Sequence, residues 1–215
     1  MANQKQASNR RLKMSERAQK QMELYFPGYD SRNLWRRSTN DGYTTMPRTM
    51  PLVMQAIDAY SKGQPAGHVL CCLWVRAPDH PLVTIESPAT FASEAGFDGE
   101  RTVDTWRRRM KTLRKLHFID AKPGPSGDFH YVLLLNPNVA MRYMRRDGLI
   151  QDGLWGRFVD RLAEVGGYGE IEVIEAAWAQ EKAAAEAAAA LAQAQATAAT
   201  AVPAAAPATG PAAQA

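Results

Sequence analysis

The residues of this chain best suited to chemistry are cations concentrated in one short segment. Between Glu100 and His117 there are seven basic and two acidic residues, a net charge of +5. The basic residues are Arg101, Arg107, Arg108, Arg109, Lys111, Arg114 and Lys115. Guanidinium and ammonium groups bind phosphates and the edges of bases, so the segment favours a polyanionic partner. A solvated basic face without a partner is the alternative that charge alone leaves open.

Helical spacing sorts this segment into an apolar face and a charged face. At about 100° per residue, the apolar residues form one stripe that must face a core. These residues are Val103, Trp106, Met110 and Leu113. The opposite face mixes cations, hydroxyls and the carboxylate of Asp104, a mixture that can read base edges and neutralise phosphates. The segment therefore predicts an amphipathic helix over about residues 102–116.

The segments around this helix are short and bounded by turn residues. A strand is predicted over 82–86, and Ser87-Pro88 is the start pattern of a helix that ends at Gly96. A tight connection over 97–100 leads into the basic helix. After it, two apolar strands over 118–121 and 130–135 flank a tip rich in Gly and Pro at 123–128. Upstream, helical spacing predicts a helix near 51–60, and the apolar run 69–75 predicts a buried helix, with a strand as the alternative.

This order of elements resembles the winged helix-turn-helix plan of bacterial DNA-binding proteins. The stretch 102–110, followed by Leu113 and by 116–119, is similar to a recognition helix and the first strand of the wing. The passage of the second wing strand into Leu135-Asn136-Pro137 is similar to small winged-helix replication proteins of plasmids and phages. The resemblance covers about two-fifths of the chain and implies duplex DNA binding without catalysis.

The charged face leads to a specific expectation for each side chain. Because the first turns of a recognition helix usually point into the major groove, the residues expected at bases are Arg101, Thr105 and Arg108. Thr102 is expected as the N-cap or as a phosphate contact. The residues expected along the DNA backbone are Lys111, Thr112 and Lys115, with Arg109 at the border of the face. At the wing tip, Lys122 and Ser126 lie among glycines that allow close approach to a groove or a phosphate.

Composition divides the chain into four parts. Residues 1–42 are predicted to be a basic, flexible arm in which 15–24 could be helical; the first 37 residues hold nine basic and three acidic side chains. Residues 43–168 are the winged-helix domain with its C-terminal helical extension, 169–201 an Ala-rich helix, and 202–215 a disordered Pro/Ala tail. The expected fold class is mainly α with a small β wing.

Two features of this plan keep alternatives open. The apolar stripe Leu154, Trp155, Phe158, Val159 and Leu162 either covers the core or forms a homodimer through the C-terminal helices. The aromatic residues Trp155 and Phe158 of this stripe are expected in the core, and so are Trp74, Trp106 and Phe118. In the arm, Trp35 lies among Arg32, Arg36 and Arg37, a mixture typical of nucleic-acid surfaces, but its ring could equally dock on the core.

The remaining residues argue against catalysis and against a membrane span. The adjacent Cys71 and Cys72 lack the spacing of a zinc site, and the glycines at 124 and 127 lack the lysine of a phosphate-binding loop. We therefore expect no enzyme activity, no metal and no cofactor. Because no uncharged apolar run approaches the roughly 18–20 residues of a membrane span and the first 24 residues are polar, we expect a bacterial cytoplasmic protein, associated with the nucleoid or a plasmid.

These observations predict a non-enzymatic protein that binds double-stranded DNA in transcription regulation or plasmid replication control. One alternative is a replication initiator of a plasmid or mobile element that recruits host factors. A second alternative is a winged-helix module whose basic helix meets an acidic protein, because a fold alone does not define a function.

Overall fold

The structure is a computed structural model that describes residues 15–200, with the backbone only for residue 31 and residues 196–200. Residues 1–14 of the predicted arm and the predicted tail at 202–215 lie outside the described residues. The chain divides into two compact units, one that ends at Ile171 and one that begins at Glu172. Among the described residues, no helix is both long and apolar enough to cross a membrane.

The described chain is mainly helical with one small sheet. Helix α1 covers residues 15–25 and ends before Pro27, so this part of the predicted flexible arm is helical. The other helices are α2 (Met50–Ser61), α3 (Gly67–Arg76), α4 (Pro88–Glu94), α5 (Thr102–Lys115), α6 (Pro137–Arg146), α7 (Asp152–Glu164) and α8 (Gly169–Thr200). The strands are β1 (Leu82–Thr84), β2 (Ile119–Gly124) and β3 (Gly127–Leu134). The apolar run at 69–75 is therefore a helix and not a strand.

Side-chain caps begin three of the helices. The Ser87 side chain accepts from the Thr90 amide at 3.4 Å and begins α4. Asn136 accepts from the Asn138 amide at 2.9 Å and begins α6. Asp58, on α2, accepts from the first two amides of the α3 region, Ala66 at 2.9 Å and Gly67 at 2.7 Å. The first two caps are local pairs of a polar residue and proline, whereas the third joins two helices.

The sheet is antiparallel and its strands lie in the order β1-β3-β2. Val83, Val132 and Ala121 form one row across it and all three are buried. The turn between β2 and β3 is tighter than predicted, because Gly124 pairs with Gly127 and only residues 125 and 126 form the turn. The register of the β2–β3 pairing shifts between residues 122 and 124, which is typical of a β-bulge. Pro123 lies at this shift and has no amide proton to donate to the neighbouring strand.

The core of the first unit contains fewer of the predicted aromatic residues than the sequence suggests. Trp106, Phe118 and Phe158 are fully buried. Trp74 and Trp155 are only half-buried and pack at the edge of the core, which corrects their prediction as core residues.

Helix α7 covers the core of the same chain. Leu154, Phe158 and Leu162 are buried, and α7 packs against α2. Because these three side chains are buried within one chain, they are not open for the homodimer that was the alternative.

The first compact unit ends three residues later than the predicted domain boundary at residue 168. Ile171 is buried. The Glu170 carboxylate accepts from the side-chain amides of Asn136 at 2.8 Å and Asn138 at 3.0 Å. Thr49 in turn donates to Asn138 at 2.6 Å in a buried position. Residues 169–171, at the start of α8, are therefore part of the first unit.

Candidate nucleic-acid interface

The rotation of α5 about its axis is fixed by its buried stripe. Trp106, Met110 and Leu113 are buried, and the Trp106 ring centroid lies 6.4 Å from that of Phe91 and 6.1 Å from that of Phe129. The helix packs against α3, α4 and β2. Val103, predicted on the same stripe, is half-buried because it lies at the first turn. This packing holds the opposite side of α5 towards solvent, as helical spacing predicts.

The outer face of α5 carries most of the predicted binding residues. The exposed side chains on it are Arg101, Asp104, Arg108, Lys111 and Lys115, and the half-buried ones are Thr105 and Thr112. The two threonine hydroxyls are engaged within the helix. Thr105 accepts from Arg108 at 3.2 Å, and Thr112 donates to the Arg108 carbonyl at 3.2 Å. The charged groups are therefore more accessible to a ligand than the hydroxyls.

The predicted cap of α5 is wrong. The N-cap residue is Arg101, and its side chain makes no capping bond. Thr102 is the first helical residue, and its hydroxyl donates back to the Gly99 carbonyl. The preceding connection bends at Gly96 and Gly99, which have positive φ of 77° and 93°, so the threonine closes this turn instead of capping the helix.

Two arginines lie on the side of α5 that faces the hairpin of β2 and β3. The guanidinium of Arg107 lies next to Gly127 at the hairpin turn. The guanidinium carbon of Arg114 lies 5.5 Å from the centroid of the Phe129 ring on β3. Arg107 also lies 3.6 Å from the carboxylate of Asp104. Neither arginine was predicted as a site residue. Residues seven positions apart lie on the same side of a helix, so the sequence does predict that these two arginines share one side of α5.

On the opposite flank of α5, Arg109 is bonded to the body of the protein, and the exposed Lys115 lies at the border of the outer face. Arg109 donates to the Gln64 side chain at 2.7 Å, and its guanidinium carbon lies 5.9 Å from the Phe97 ring centroid. Burial, and to a lesser degree the neighbouring Arg108, lowers the pKa of Arg109. The Lys115 ammonium lies 5.5 Å from the Tyr60 ring centroid on α2. Arg109 is therefore better suited to holding α5 in place than to binding a ligand.

Of the two binding residues predicted at the hairpin tip, only one extends into solvent. Lys122 is exposed. Ser126 is half-buried, and its hydroxyl donates to the Ile85 carbonyl. Because a hydroxyl has one proton, the 2.9 Å contact with His130 is a bond donated by the ring Nδ1–H. Ser126 thus joins the hairpin to the end of β1 and does not extend towards solvent.

The cysteines form no candidate site for a metal. Burial raises the pKa of both thiols, Cys71 and Cys72. The Cys72 sulfur lies 3.7 Å from Nε2 of His68. Among the described residues, no three His, Cys, Asp or Glu side chains come together as metal ligands.

Comparison of the chain with family models, curated proteins and solved structures found no match in any of the three.

Proposed function

We propose that the chain is a non-enzymatic winged helix-turn-helix protein that binds double-stranded DNA and acts in transcription or plasmid-type replication control. The observation that carries this proposal is the outer face of α5, where exposed cations lie on a helix whose rotation is fixed by buried Trp106, Met110 and Leu113. A rigid helix of this kind fits the major groove, which is about 12 Å wide.

The elements around α5 support the same proposal. Two helices, α4 and α5, follow each other across a short turn, and a three-stranded sheet in the order β1-β3-β2 lies beside them. In a helix-turn-helix the second helix reads the groove and the first crosses the DNA backbone. The hairpin of β2 and β3 would then be the wing, with Lys122 on the backbone or in the minor groove.

The geometry refines the expected role of each residue. Arg101 and Arg108 are assigned to base edges, because they are exposed at the first turns of α5. Lys111 and Lys115 are assigned to phosphates, and Arg107 and Arg114 to phosphates on the hairpin side. A smaller set is assigned to support of the interface and not to direct contact with DNA: Thr102, Thr105, Arg109, Thr112 and Ser126.

Fluorescence anisotropy with a labelled duplex of about 20 base pairs, two turns of the helix, tests the proposal. The double variant Arg108→Ala/Lys111→Ala should lose about 10- to 100-fold in affinity and reduce the salt slope by about one, because only Lys111 is assigned to a phosphate. The matched control is Arg157→Ala/Arg161→Ala, which removes the same charge from exposed positions on α7. The control should bind within about threefold of wild type.

Two outcomes would contradict the proposal. Equal losses in the two double variants would mean that net charge, and not α5, determines binding. The absence of duplex binding at any salt concentration, together with capture of an acidic protein through Arg108 and Lys111, would favour the protein-interaction alternative. Tight binding to repeated sites at a replication origin, rather than to a promoter, would identify the initiator role within the proposal.

A further inference from the structure

A second candidate surface lies where the arm meets the following domain: the rings of Trp35 and Tyr43 and the guanidinium of Arg37 come together, and with the sequence neighbour Arg36 they form what we call the arm platform. The Trp35 and Tyr43 ring centroids are 6.3 Å apart with the rings nearly perpendicular, at 84°. The guanidinium carbon of Arg37 lies 4.9 Å from the Tyr43 ring centroid. The side chain of Trp35 is 64% exposed, so the ring does not dock on the core.

The arm platform is held in shape by its own turn. The Asn40 side chain accepts from the Arg36 amide at 2.8 Å. The Arg36 carbonyl accepts from the amides of Thr39 at 3.1 Å and Asn40 at 3.0 Å. These bonds close the chain between Trp35 and Tyr43, so the two rings meet without support from the core.

The turn is also attached to the body of the first unit. Thr44 donates to the Ala77 carbonyl at 3.4 Å, and Thr45 donates to the Asp79 carboxylate at 2.8 Å. Ala77 and Asp79 lie in the connection between α3 and β1. The arm platform is therefore a preformed surface, and a ligand would not need to order it before binding.

The chemistry of the arm platform matches an unpaired nucleotide. An exposed indole offers a flat π-face to a base, and the neighbouring guanidinium groups offer donors to its phosphate. Arg32 is not part of this set, because Asp30 accepts from it through both carboxylate oxygens. Bases inside an intact duplex stack on each other and do not expose their faces, so an exposed indole is suited to an unpaired base and not to an intact duplex. The first 37 residues carry a net charge of +6, which complements a phosphate backbone.

We propose that the arm platform binds single-stranded DNA by stacking an unpaired base on Trp35, with Arg36 and Arg37 on the adjoining phosphates. The proposal deepens the proposed function and rests on it for the duplex part of the contact. It assigns to the protein a preference for DNA in which a duplex continues into a single strand.

The position of the arm platform is compatible with such a junction. Its anchor, the connection before β1, lies at the end of the sheet where the Pro81 carbonyl accepts from Leu134. The hairpin turn lies at the other end, where Ser126 donates to Ile85. The eight residues of β3 join the two ends, a length of about 25 Å. That distance corresponds to about seven base pairs of duplex.

The test uses the full chain and three labelled DNAs: a dT oligonucleotide of about 15 residues, within the usual site size, a blunt duplex, and the same duplex with a dT tail. Trp35→Ala should weaken binding to the dT oligonucleotide by about 10- to 100-fold and leave blunt-duplex affinity within about twofold. Trp35→Phe, which keeps a π-face, should retain most of the affinity. The matched control is Tyr168→Ala, which removes another exposed aromatic side chain. It should change neither the affinity for the dT oligonucleotide nor the affinity for the blunt duplex.

The tailed duplex connects the two surfaces. It should bind more tightly than the blunt duplex by about 10-fold in wild type and by no more than about twofold in Trp35→Ala. Unchanged single-strand affinity in Trp35→Ala would overturn the inference. An equal loss in Tyr168→Ala, or tighter binding to a uridine RNA of the same length, would also overturn it.

Failure of this inference is distinguishable from failure of the proposed function. If wild type binds the dT oligonucleotide through Trp35 but does not bind the blunt duplex, the arm platform stands and the duplex proposal fails. If it binds the blunt duplex through Arg108 and Lys111 but binds the dT oligonucleotide equally well without Trp35, the duplex proposal stands and the arm platform fails. Circular dichroism should show wild-type folding in Trp35→Ala, because the side chain lies outside the core.

Discussion

The tripeptide Trp-Arg-Arg occurs twice in this chain, at residues 35–37 and 106–108, and the two copies lie in opposite environments. Trp106 is 1% exposed and lies between the rings of Phe91 and Phe129, whereas Trp35 is 64% exposed and has Tyr43 at its edge. In α5 the buried indole holds a helix and the arginines reach solvent. In the arm the indole itself is the accessible group.

The difference shows how regular secondary structure assigns roles to identical neighbours. On a helix, successive residues differ by about 100°, so a Trp that faces the core places the Arg two positions later on the far side. Met110 and Leu113 extend that buried stripe. The arm turn has no such stripe and is closed by the Asn40 side chain together with backbone bonds. The same residues therefore present charge in one region and an aromatic face in the other.

The largest expected effect separates the two tryptophans by stability. Trp106→Ala should reduce the free energy of unfolding by about 3–5 kcal/mol, because it leaves a cavity between two aromatic rings. Trp35→Ala should change it by no more than about 0.5 kcal/mol, because an exposed side chain contributes little packing. Urea unfolding followed by far-ultraviolet circular dichroism measures both. Comparable losses of unfolding free energy in the two variants would contradict the assignment of one tryptophan to the core and the other to the surface.

A smaller effect should separate two adjacent arginines on α5. Arg109→Ala removes the bond to Gln64 and should cost about 1 kcal/mol of stability, with duplex affinity reduced less than threefold. Arg108→Ala should leave stability within about 0.5 kcal/mol and weaken duplex binding by about 5- to 100-fold. Urea unfolding and anisotropy on the same preparations give both quantities. The reverse pattern would mean that the half-buried side chain contacts DNA and the exposed one does not.

The smallest effect concerns the carboxylate on the outer face of α5. Asp104→Asn removes a negative charge that lies 3.6 Å from Arg107. Duplex affinity should rise by about two- to fivefold at low salt, since repulsion from phosphates is removed. The helix should lose about 0.3–1 kcal/mol, because a carboxylate in the first turn favours the helix dipole. A fall in affinity confined to sites with a cytosine at one position would instead assign Asp104 to base recognition.

Much of the candidate interface follows from local sequence. The spacing of Trp106, Met110 and Leu113 predicts both the helix and its outer face, and the structure confirms the helix as Thr102–Lys115. The caps at Ser87 and Asn136 were equally readable, because a polar side chain beside a proline acts within three residues. Interactions of this range depend on the order of neighbours, which the sequence contains directly.

The flanks of α5 and the exposure of Trp35 depended on tertiary structure. Arg109 meets Gln64, which is 45 residues away, and Ser126 bonds to Ile85, which is 41 residues away. Helical periodicity says which residues share a face, but it does not say which distant element covers the border of that face. For the same reason, periodicity allows two interpretations of the stripe on α7, and its packing against α2 decides between them. Local sequence likewise does not determine whether Trp35 docks on the core, and its exposure to solvent decides that it does not. Burial is a property of the assembled chain, so local pattern determined the elements and long-range packing determined which side chains remain open to a ligand.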